Sequence, residues 1–163
     1  MAKKVFLSLV FLLSFTLFLS AEVMLLEQEE ALNSNLFKGK IGVGFNWTGA
    51  QVRMDVGSNF LAEIRGQYSG DNLLLAVRGY YVLPKLSGQP PLQPYTGIEI
   101  GIPFSNVLTS GFECGVFFGG EIFVAKNIGV GLDAGPYFIS ISSDLGSISD
   151  FGIVINLGVT YYF

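Results

Sequence analysis

The final segment of the chain shows a regular alternation of apolar and small or polar residues. Every second residue over 151–163 is apolar, and the residues between them include Asn156 and Thr160. A period of two places one face of a β-strand in apolar surroundings and the other beside small or polar groups. The same alternation occurs over 128–134 and 98–104. The pattern therefore predicts β-strands in all of these segments.

Five further segments show a weaker form of this pattern and complete the set of predicted strands: 40–48, 51–56, 60–68, 73–83 and 112–125. Residues typical of turns separate the strands, and the predicted turns are 48–50, 57–59, 69–72, 84–91, 105–111, 126–127 and 142–150. Such short connections keep neighbouring strands antiparallel. The predicted fold class is therefore all-β, a closed antiparallel up-and-down transmembrane β-barrel of about eight strands.

The charged residues of the strands fall on the face opposite the apolar residues. A lipid-facing Arg or Lys at the bilayer midplane costs roughly 2–4 kcal/mol, so a membrane barrel keeps charges on its inner face. A lumen of about eight strands is just wide enough to be filled by side chains, and the many inward glycines leave room for larger neighbours. Glu113 also has inward parity. The predicted lumen charge network consists of Arg53, Asp55, Glu63, Arg65, Arg78, Glu99, Glu121 and Asp133.

A soluble, lipocalin-like barrel is the rival interpretation. It would reverse the pattern, with an apolar pocket inside and a polar surface outside. Some residues of inward parity support it, namely Leu61, Phe117, Phe123, Ile139 and Val154. The outer faces of the clearest strands, however, offer almost no polar residue to water, and this favours the membrane barrel.

The N-terminal residues have the layout of a secretory signal peptide. Lys3 and Lys4 precede an apolar run, and the small residues Ser20 and Ala21 stand before the acidic Glu22. We predict a cleaved signal peptide over 1–21, with an uncleaved membrane anchor as the alternative. A periplasmic N-terminal lead-in over 22–37 follows, for which a plug inside the lumen is the alternative. The predicted outer-membrane β-barrel domain covers 38–163.

Composition excludes several function classes. Lys and Arg total nine in 163 residues, and the formal net charge is −4, so no basic face is present for nucleic acid. Histidine is absent and Cys114 is the only cysteine, which excludes an internal disulfide and any site built from several cysteines. The 15 Phe, 7 Tyr and 21 Gly residues are typical of an all-β chain.

Candidate chemistry is sparse. Glu99, Glu121 and Asp133 could in principle form a paired-carboxylate hydrolase, but acids are expected inside a membrane barrel without any catalysis. The glycines around Val43 lie within a predicted strand and do not complete a dinucleotide-binding motif. We therefore predict no catalytic, cofactor-binding or metal-binding residue and expect that the protein is not an enzyme.

Three segments carry a family resemblance: 94–101, 119–135 and 158–163. They resemble the outer-membrane β-barrel domain family, which includes the small OmpA/OmpX-type eight-stranded barrels. The resemblance covers about residues 38–163 and implies periplasmic termini, with 142–150 facing outside. It also implies that the final strand, through Val159, Tyr161 and Phe163, carries the signal read by the outer-membrane assembly machinery. The predicted outer loops are shorter than those of family members that bind partners.

The expected function follows from these points. We expect a structural or envelope barrel with a side-chain-filled lumen, located in the cell outer membrane after export and cleavage of the signal peptide. The alternative is a narrow porin-like channel for small solutes or ions. A weaker alternative is a surface interaction protein that uses Trp47, 104–112 and 142–150. The expected partners are outer-membrane lipid and, during biogenesis, the assembly machinery; nucleic acid is not expected, and the protein is expected to be a monomer.

Overall fold

Eight antiparallel strands form a closed barrel, in which each strand pairs with its neighbours in sequence and β1 pairs with β8. The computed structural model describes residues 35–69, 72–104, 110–143 and 146–163. The predicted signal peptide and most of the predicted lead-in lie outside the described residues. The strands are β1 Ile41–Asn46, β2 Gly49–Gly57, β3 Phe60–Ser69, β4 Asn72–Val82, β5 Leu92–Phe104, β6 Ser110–Ala125, β7 Ile128–Ser143 and β8 Gly146–Tyr162. The predicted all-β, up-and-down closed barrel is confirmed.

The two strands that flank the predicted 142–150 turn are longer than the sequence indicated. β7 continues to Ser143 and β8 begins at Gly146, so most of this segment is strand and the prediction of a loop here was wrong. The serine hydroxyls pair across the two strands, Ser140 with Ser149 at 3.0 Å and Ser142 with Ser147 at 2.9 Å. Cross-strand hydrogen bonds of this kind stabilise a hairpin whose composition resembles that of a loop.

The register of the pairs tilts the strands relative to the barrel axis. Following paired residues around the barrel from Gly44 through β2 to β7 leads to Asp150 on β8. Gly44 itself pairs directly with Thr160, ten residues further along β8. This shear of ten for eight strands requires a tilt of roughly 40°, and the tilt decides which inward side chains lie at the same height.

The two faces of the barrel wall differ in polarity as the alternation predicts. Outward residues such as Ile100 and Ile153 are more than half exposed, at 61% and 57%. Inward charged residues are buried, and Arg78 is 0% exposed. In the part of the chain that the structure describes, no helix is long and apolar enough to cross a membrane.

Glycine is required at two positions where the backbone of the neighbouring strand comes too close for a Cβ atom. A Cβ atom on Gly135 would overlap the carbonyl oxygen of Val116, and one on Gly119 would overlap that of Leu132. A backbone carbonyl cannot move aside as the end of a flexible side chain can. These two positions therefore accept only glycine without a shift of the strands.

Candidate functional site

Glu63 lies at the centre of a charged network inside the barrel. Its Oε2 accepts a hydrogen bond from Arg53 Nε at 2.8 Å, and its Oε1 accepts one from Arg65 Nε at 2.7 Å. Glu63 is 1% exposed, and both arginines are almost as fully buried. A buried carboxylate needs partners for both of its oxygens, and the two neighbouring arginines provide them.

Arg53 extends this network across the lumen. From β2 its Nη1 reaches Glu121 Oε2 on β6 at 2.6 Å and also donates to the hydroxyl of Tyr162 at 3.1 Å. The guanidinium lies over the ring of Tyr80, with 4.6 Å between the guanidinium carbon and the ring centroid. The side chain thus connects opposite walls of the barrel through charge-assisted hydrogen bonds.

Arg78 makes a second connection across the lumen. Its Nη1 and Nη2 donate to the two carboxylate oxygens of Asp133 at 2.9 and 2.8 Å. Its Nε lies 2.7 Å from Glu99 Oε2, an ion pair without the alignment of a hydrogen bond. The guanidinium carbon is 3.5 Å from the ring centroid of Phe117. The bidentate pair and the aromatic face together fix the position of this guanidinium.

Uncharged side chains complete the network, and the sequence analysis did not assign them to it. The Tyr80 hydroxyl donates to Glu63 Oε2 at 2.7 Å and accepts from Arg53 and Arg78 at 3.1 and 3.0 Å. The Tyr137 hydroxyl donates to Glu99 Oε2 at 3.0 Å, and Asn156 Nδ2 donates to Asp133 Oδ1 at 3.0 Å. Their inward parity was visible in the sequence. This parity could have identified the two tyrosines if their hydroxyl groups had been counted as polar.

The structure places Asp55 outside the network, contrary to the prediction. The other seven predicted residues lie together, each no more than 5% exposed: Arg53, Glu63, Arg65, Arg78, Glu99, Glu121 and Asp133. Asp55 has inward parity, but it lies at the end of β2 beside a register shift. There its carboxylate accepts hydrogen bonds from the backbone N–H groups of Gly39 at 2.6 Å and Gly57 at 3.0 Å. It stabilises the β2–β3 turn and the turn that precedes β1.

An aromatic cluster fills the barrel beneath the charges, at the end where the β2–β3 turn and Phe163 lie, which we call the lower end. The Phe37 ring packs against Phe123 and Tyr162, at centroid distances of 5.6 Å in both cases. Phe37 is 1% exposed although it precedes the first strand. Lys40 Nζ lies 5.0 Å from the Phe123 ring centroid. Burial, and then the nearby positive charge of Lys126, lower the pKa of Lys40.

The charged network borders a small cavity. A small polar cavity beside β8 has room for about one water molecule and is lined by residues that include Asn46, Gln51 and Asn156. In the described ranges, 35–69, 72–104, 110–143 and 146–163, no group of acidic or cysteine side chains is arranged to hold a metal ion. Every acid of the network contacts an arginine.

The residues predicted as an assembly signal lie on the outer face of β8. Val159, Tyr161 and Phe163 are 49%, 47% and 73% exposed. The Phe163 N–H donates to the carbonyl of Ile41 at 2.9 Å, and the Tyr161 and Phe163 rings are 4.9 Å apart at their centroids. The three side chains are therefore accessible from outside. Their role in assembly stays a prediction.

Comparison with solved structures finds a likeness in fold. No protein-family model matches the chain, and no curated protein matches its sequence. The structure is similar to the crystal structure of Neisserial surface protein A (NspA), with 17% sequence identity and a TM-score of 0.44. The match covers 76% of this chain and 94% of that one. A likeness of this degree carries no information on function, and the resemblance to OmpA/OmpX-type barrels stays a prediction.

Proposed function

We propose that the protein is an outer-membrane β-barrel whose function is structural, with a lumen closed by its own side chains. The observation that carries this proposal is the combination of an apolar outer wall with a buried charge network bridging the interior. A soluble barrel would place these two surfaces the other way round. The outward positions of the described strands carry no charged residue, and the buried arginines inside are paired with acids, as suits a barrel surrounded by lipid.

The height of the apolar wall supports the membrane location. The outward residues of β8 are apolar and exposed at every second position from Phe151 to Phe163. At about 3.3 Å per residue and a tilt of roughly 40°, this stretch is about 30 Å tall. The apolar band of outer-membrane barrels is roughly 25 Å tall. Closed barrels leave no backbone edge in the hydrocarbon, and the predicted signal peptide supplies the route of export.

The interior supports a closed lumen rather than a channel. Arg53 and Glu121 bridge opposite walls at 2.6 Å, and the Phe37 ring closes the path below them. The free volume beside them suits about one water molecule and no larger solute. We propose that the protein conducts neither solutes nor ions appreciably and, since each acid of the network is paired, that it has no catalytic activity. We further propose that it is a monomer whose partners are membrane lipid and the assembly machinery.

The test combines localisation with conductance. The protein should fractionate with the outer membrane, and N-terminal sequencing should begin near Glu22. In planar lipid bilayers the purified protein should show negligible conductance. The double variant Arg53→Ala/Glu121→Ala removes both side chains of one bridge and should conduct more than the wild type. Conductance of this variant also shows that the barrels have inserted into the bilayer. Steady wild-type conductance would instead support the porin-like alternative, and an N-terminus at Met1 would contradict cleavage.

A further inference from the structure

Charge is unevenly distributed between the two ends of the barrel. Lysines lie at the lower end, before β1, in the β4–β5 connection and in the β6–β7 turn: Lys38, Lys40, Lys85 and Lys126. Below the buried network, the carboxylates of the described residues are those of Asp55 and of Phe163 at the end of the chain. Above the network, the described strands carry the acids Glu113 and Asp150 instead. The lower end is therefore the basic end of the barrel.

Two of these lysines form no ion pair within the part of the chain that the structure describes. They are Lys38 and Lys126, and both are exposed. The nearby carboxylate of Asp55 is already engaged, because its two oxygens accept hydrogen bonds from the N–H groups of Gly39 and Gly57 at 2.6 and 3.0 Å. An excess of positive charge therefore remains at the lower end.

Lys40 and Lys126 lie close enough to repel each other. Burial, and then the positive charge of Lys126, lower the pKa of Lys40, and the carboxylate of Glu121 opposes this change. The Lys40 Nζ lies over the rings of Phe123 and Tyr162, at 5.0 and 5.8 Å from their centroids. These rings fix the ammonium group at the lower mouth. An anion that binds beside the two lysines would remove their repulsion.

The β6–β7 turn places Lys126 directly below an outward aromatic residue. Ile128 pairs with Tyr161 of β8, and Lys126 lies two residues before Ile128 in the turn. The turn is attached to β8 through Asn127, whose carbonyl accepts from the Tyr162 N–H at 2.8 Å and whose Nδ2 donates to the Tyr161 hydroxyl at 3.5 Å. The positive charges at this side of the rim form what we call the lysine patch: Lys38, Lys40 and Lys126.

Outward aromatic residues mark the height of the lysine patch relative to the membrane. Two pairs of rings pack together on the outer face near the lower end, Phe60 with Tyr81 at a centroid distance of 5.3 Å and Tyr161 with Phe163 at 4.9 Å. All four side chains are exposed. Membrane barrels carry girdles of aromatic residues at both membrane interfaces. In the membrane that the proposed function requires, the lysine patch therefore lies at the level of the lipid headgroups.

We propose that the lysine patch binds the phosphate group of an anionic phospholipid such as phosphatidylglycerol, whose acyl chains pack against Tyr161 and Phe163. This inference rests on the proposed membrane location and names the lipid partner. Its main argument is the order of the two surfaces: a positive patch directly beyond an apolar, aromatic wall matches a phosphate joined to acyl chains. A lysine near an anionic lipid surface strengthens association by about fivefold.

Two other ligands fit these surfaces less well. Phosphatidylcholine has the same phosphate and acyl chains, but its quaternary ammonium group adds a positive charge to a patch that is already positive. Inorganic phosphate has the negative charge, but it makes no use of the aromatic wall beside the lysines. Only an anionic lipid satisfies both surfaces at once.

Lysine acetylation in lipid nanodiscs, whose two faces are both open to water, tests the proposal. The full mature chain is placed in discs of dimyristoylphosphatidylcholine, with and without dimyristoylphosphatidylglycerol, and acetylated lysines are quantified by mass spectrometry. Phosphatidylglycerol should slow the acetylation of Lys38, Lys40 and Lys126 several-fold. Lys85 is the control, since it shares the lower end and the general surface charge but lies on the β4–β5 connection, outside the patch. Inorganic phosphate added to discs of phosphatidylcholine alone should not slow acetylation of the patch.

Variants of the patch give an independent measurement of lipid preference. Native mass spectrometry of the barrel in detergent, with equal amounts of the two lipids, gives the ratio of phosphatidylglycerol to phosphatidylcholine adducts. Lys126→Gln, in an exposed turn, should lower this ratio by about fivefold, and Lys40→Gln/Lys126→Gln should lower it further. Lys85→Gln makes the same change of charge and should keep the wild-type ratio. The heat-dependent gel shift shows that each barrel has formed.

The possible results separate this inference from the proposed function. Equal binding of the two lipids by the wild type would overturn the inference, leave the membrane location intact, and mean that carboxylates of the chain itself neutralise the lysines. An equal effect of phosphatidylglycerol on Lys85 and the patch would reduce the patch to general surface charge and would also overturn it. Protection by inorganic phosphate alone would exclude a lipid as the specific ligand. Failure of the folded barrel to enter nanodiscs of either composition would overturn the membrane location itself.

Discussion

Arg53 and Glu121 are 68 residues apart in sequence, yet their side chains meet at 2.6 Å across the interior of the barrel. Arg53 is also held by Glu63, and Glu63 by Arg65, so the bridge belongs to a network that joins opposite walls. Each charge is buried with its partner. The stability of the interior therefore depends on the whole network of ion pairs. Removal of one charged side chain leaves its partners buried without an opposite charge.

The first prediction concerns this bridge. Arg53→Met should lower the free energy of unfolding by about 3–5 kcal/mol, because it leaves Glu121 and one oxygen of Glu63 buried without their cation. Arg53→Met/Glu121→Gln should lower it by less than the sum of the two single variants, since the coupled residues share one interaction. Urea unfolding in vesicles, followed by the fluorescence of Trp47, measures the free energy of unfolding of the two single variants and of the double variant. Additive effects would show that the two side chains do not depend on each other.

The second prediction concerns the Tyr80 hydroxyl, which contacts Arg53, Glu63 and Arg78. Tyr80→Phe should lower the free energy of unfolding by about 1–3 kcal/mol, because the buried charged groups lose a hydrogen-bond partner that water cannot replace. Tyr81→Phe is the matched control, since Tyr81 is the next residue and is 45% exposed on the outer face. We expect less than about 0.5 kcal/mol for the control. An equal loss of unfolding free energy in the two variants would show that the Tyr80 hydroxyl has no special role in the network.

The third prediction concerns Gly135 and its contact with the Val116 carbonyl. Gly135→Val should prevent closure of the barrel, because the added side chain must displace a strand backbone. Gly152→Val is the matched control on the neighbouring strand, where no described atom lies within 4 Å of a Cβ. The heat-dependent gel shift after refolding should be lost in the first variant and kept in the second. Its retention in Gly135→Val would show that the strands can separate there at little cost.

The fourth prediction concerns the last residue of the chain. Phe163→Ala should sharply lower the amount of protein that reaches the outer membrane, while the variant refolded in detergent still forms a heat-resistant barrel. Full burial of a phenylalanine side chain contributes about 1.5–3 kcal/mol, and partial exposure lowers this limit. A finished barrel tolerates such a loss. A chain whose last strand is not engaged, however, remains an open sheet that aggregates.

Phe45→Ala is the control for this fourth experiment. Phe45 and Phe163 are both 73% exposed on the outer face, so the two variants lose similar contacts and differ in their position in the chain. Cellular yield and the gel shift after refolding in vitro are compared for both. Equal yields would mean that the terminal aromatic residue is ordinary lipid-facing packing.

The sequence by itself determined the strands and the direction of their side chains. Alternation with a period of two distinguishes the outward Ile153 from the inward Asn156, and it assigned every arginine of the network to the interior. This inference requires no knowledge of which strands are neighbours. A charge within an alternating apolar strand has only one favourable side, since the other side faces an apolar medium.

Only the tertiary structure decided which of these inward residues meet. Parity gives the side of the wall but not the height along the axis, and height follows from the register summed over all strand pairs. The shear of ten brings Glu121 level with Arg53, whereas Asp55, with the same parity, lies lower, at a turn. The length of the β7–β8 hairpin was also decided by pairing, because serines that resemble a loop in sequence hydrogen-bond to each other across two strands. The difference between β1, with 6 residues, and β8, with 17, follows in part from that pairing.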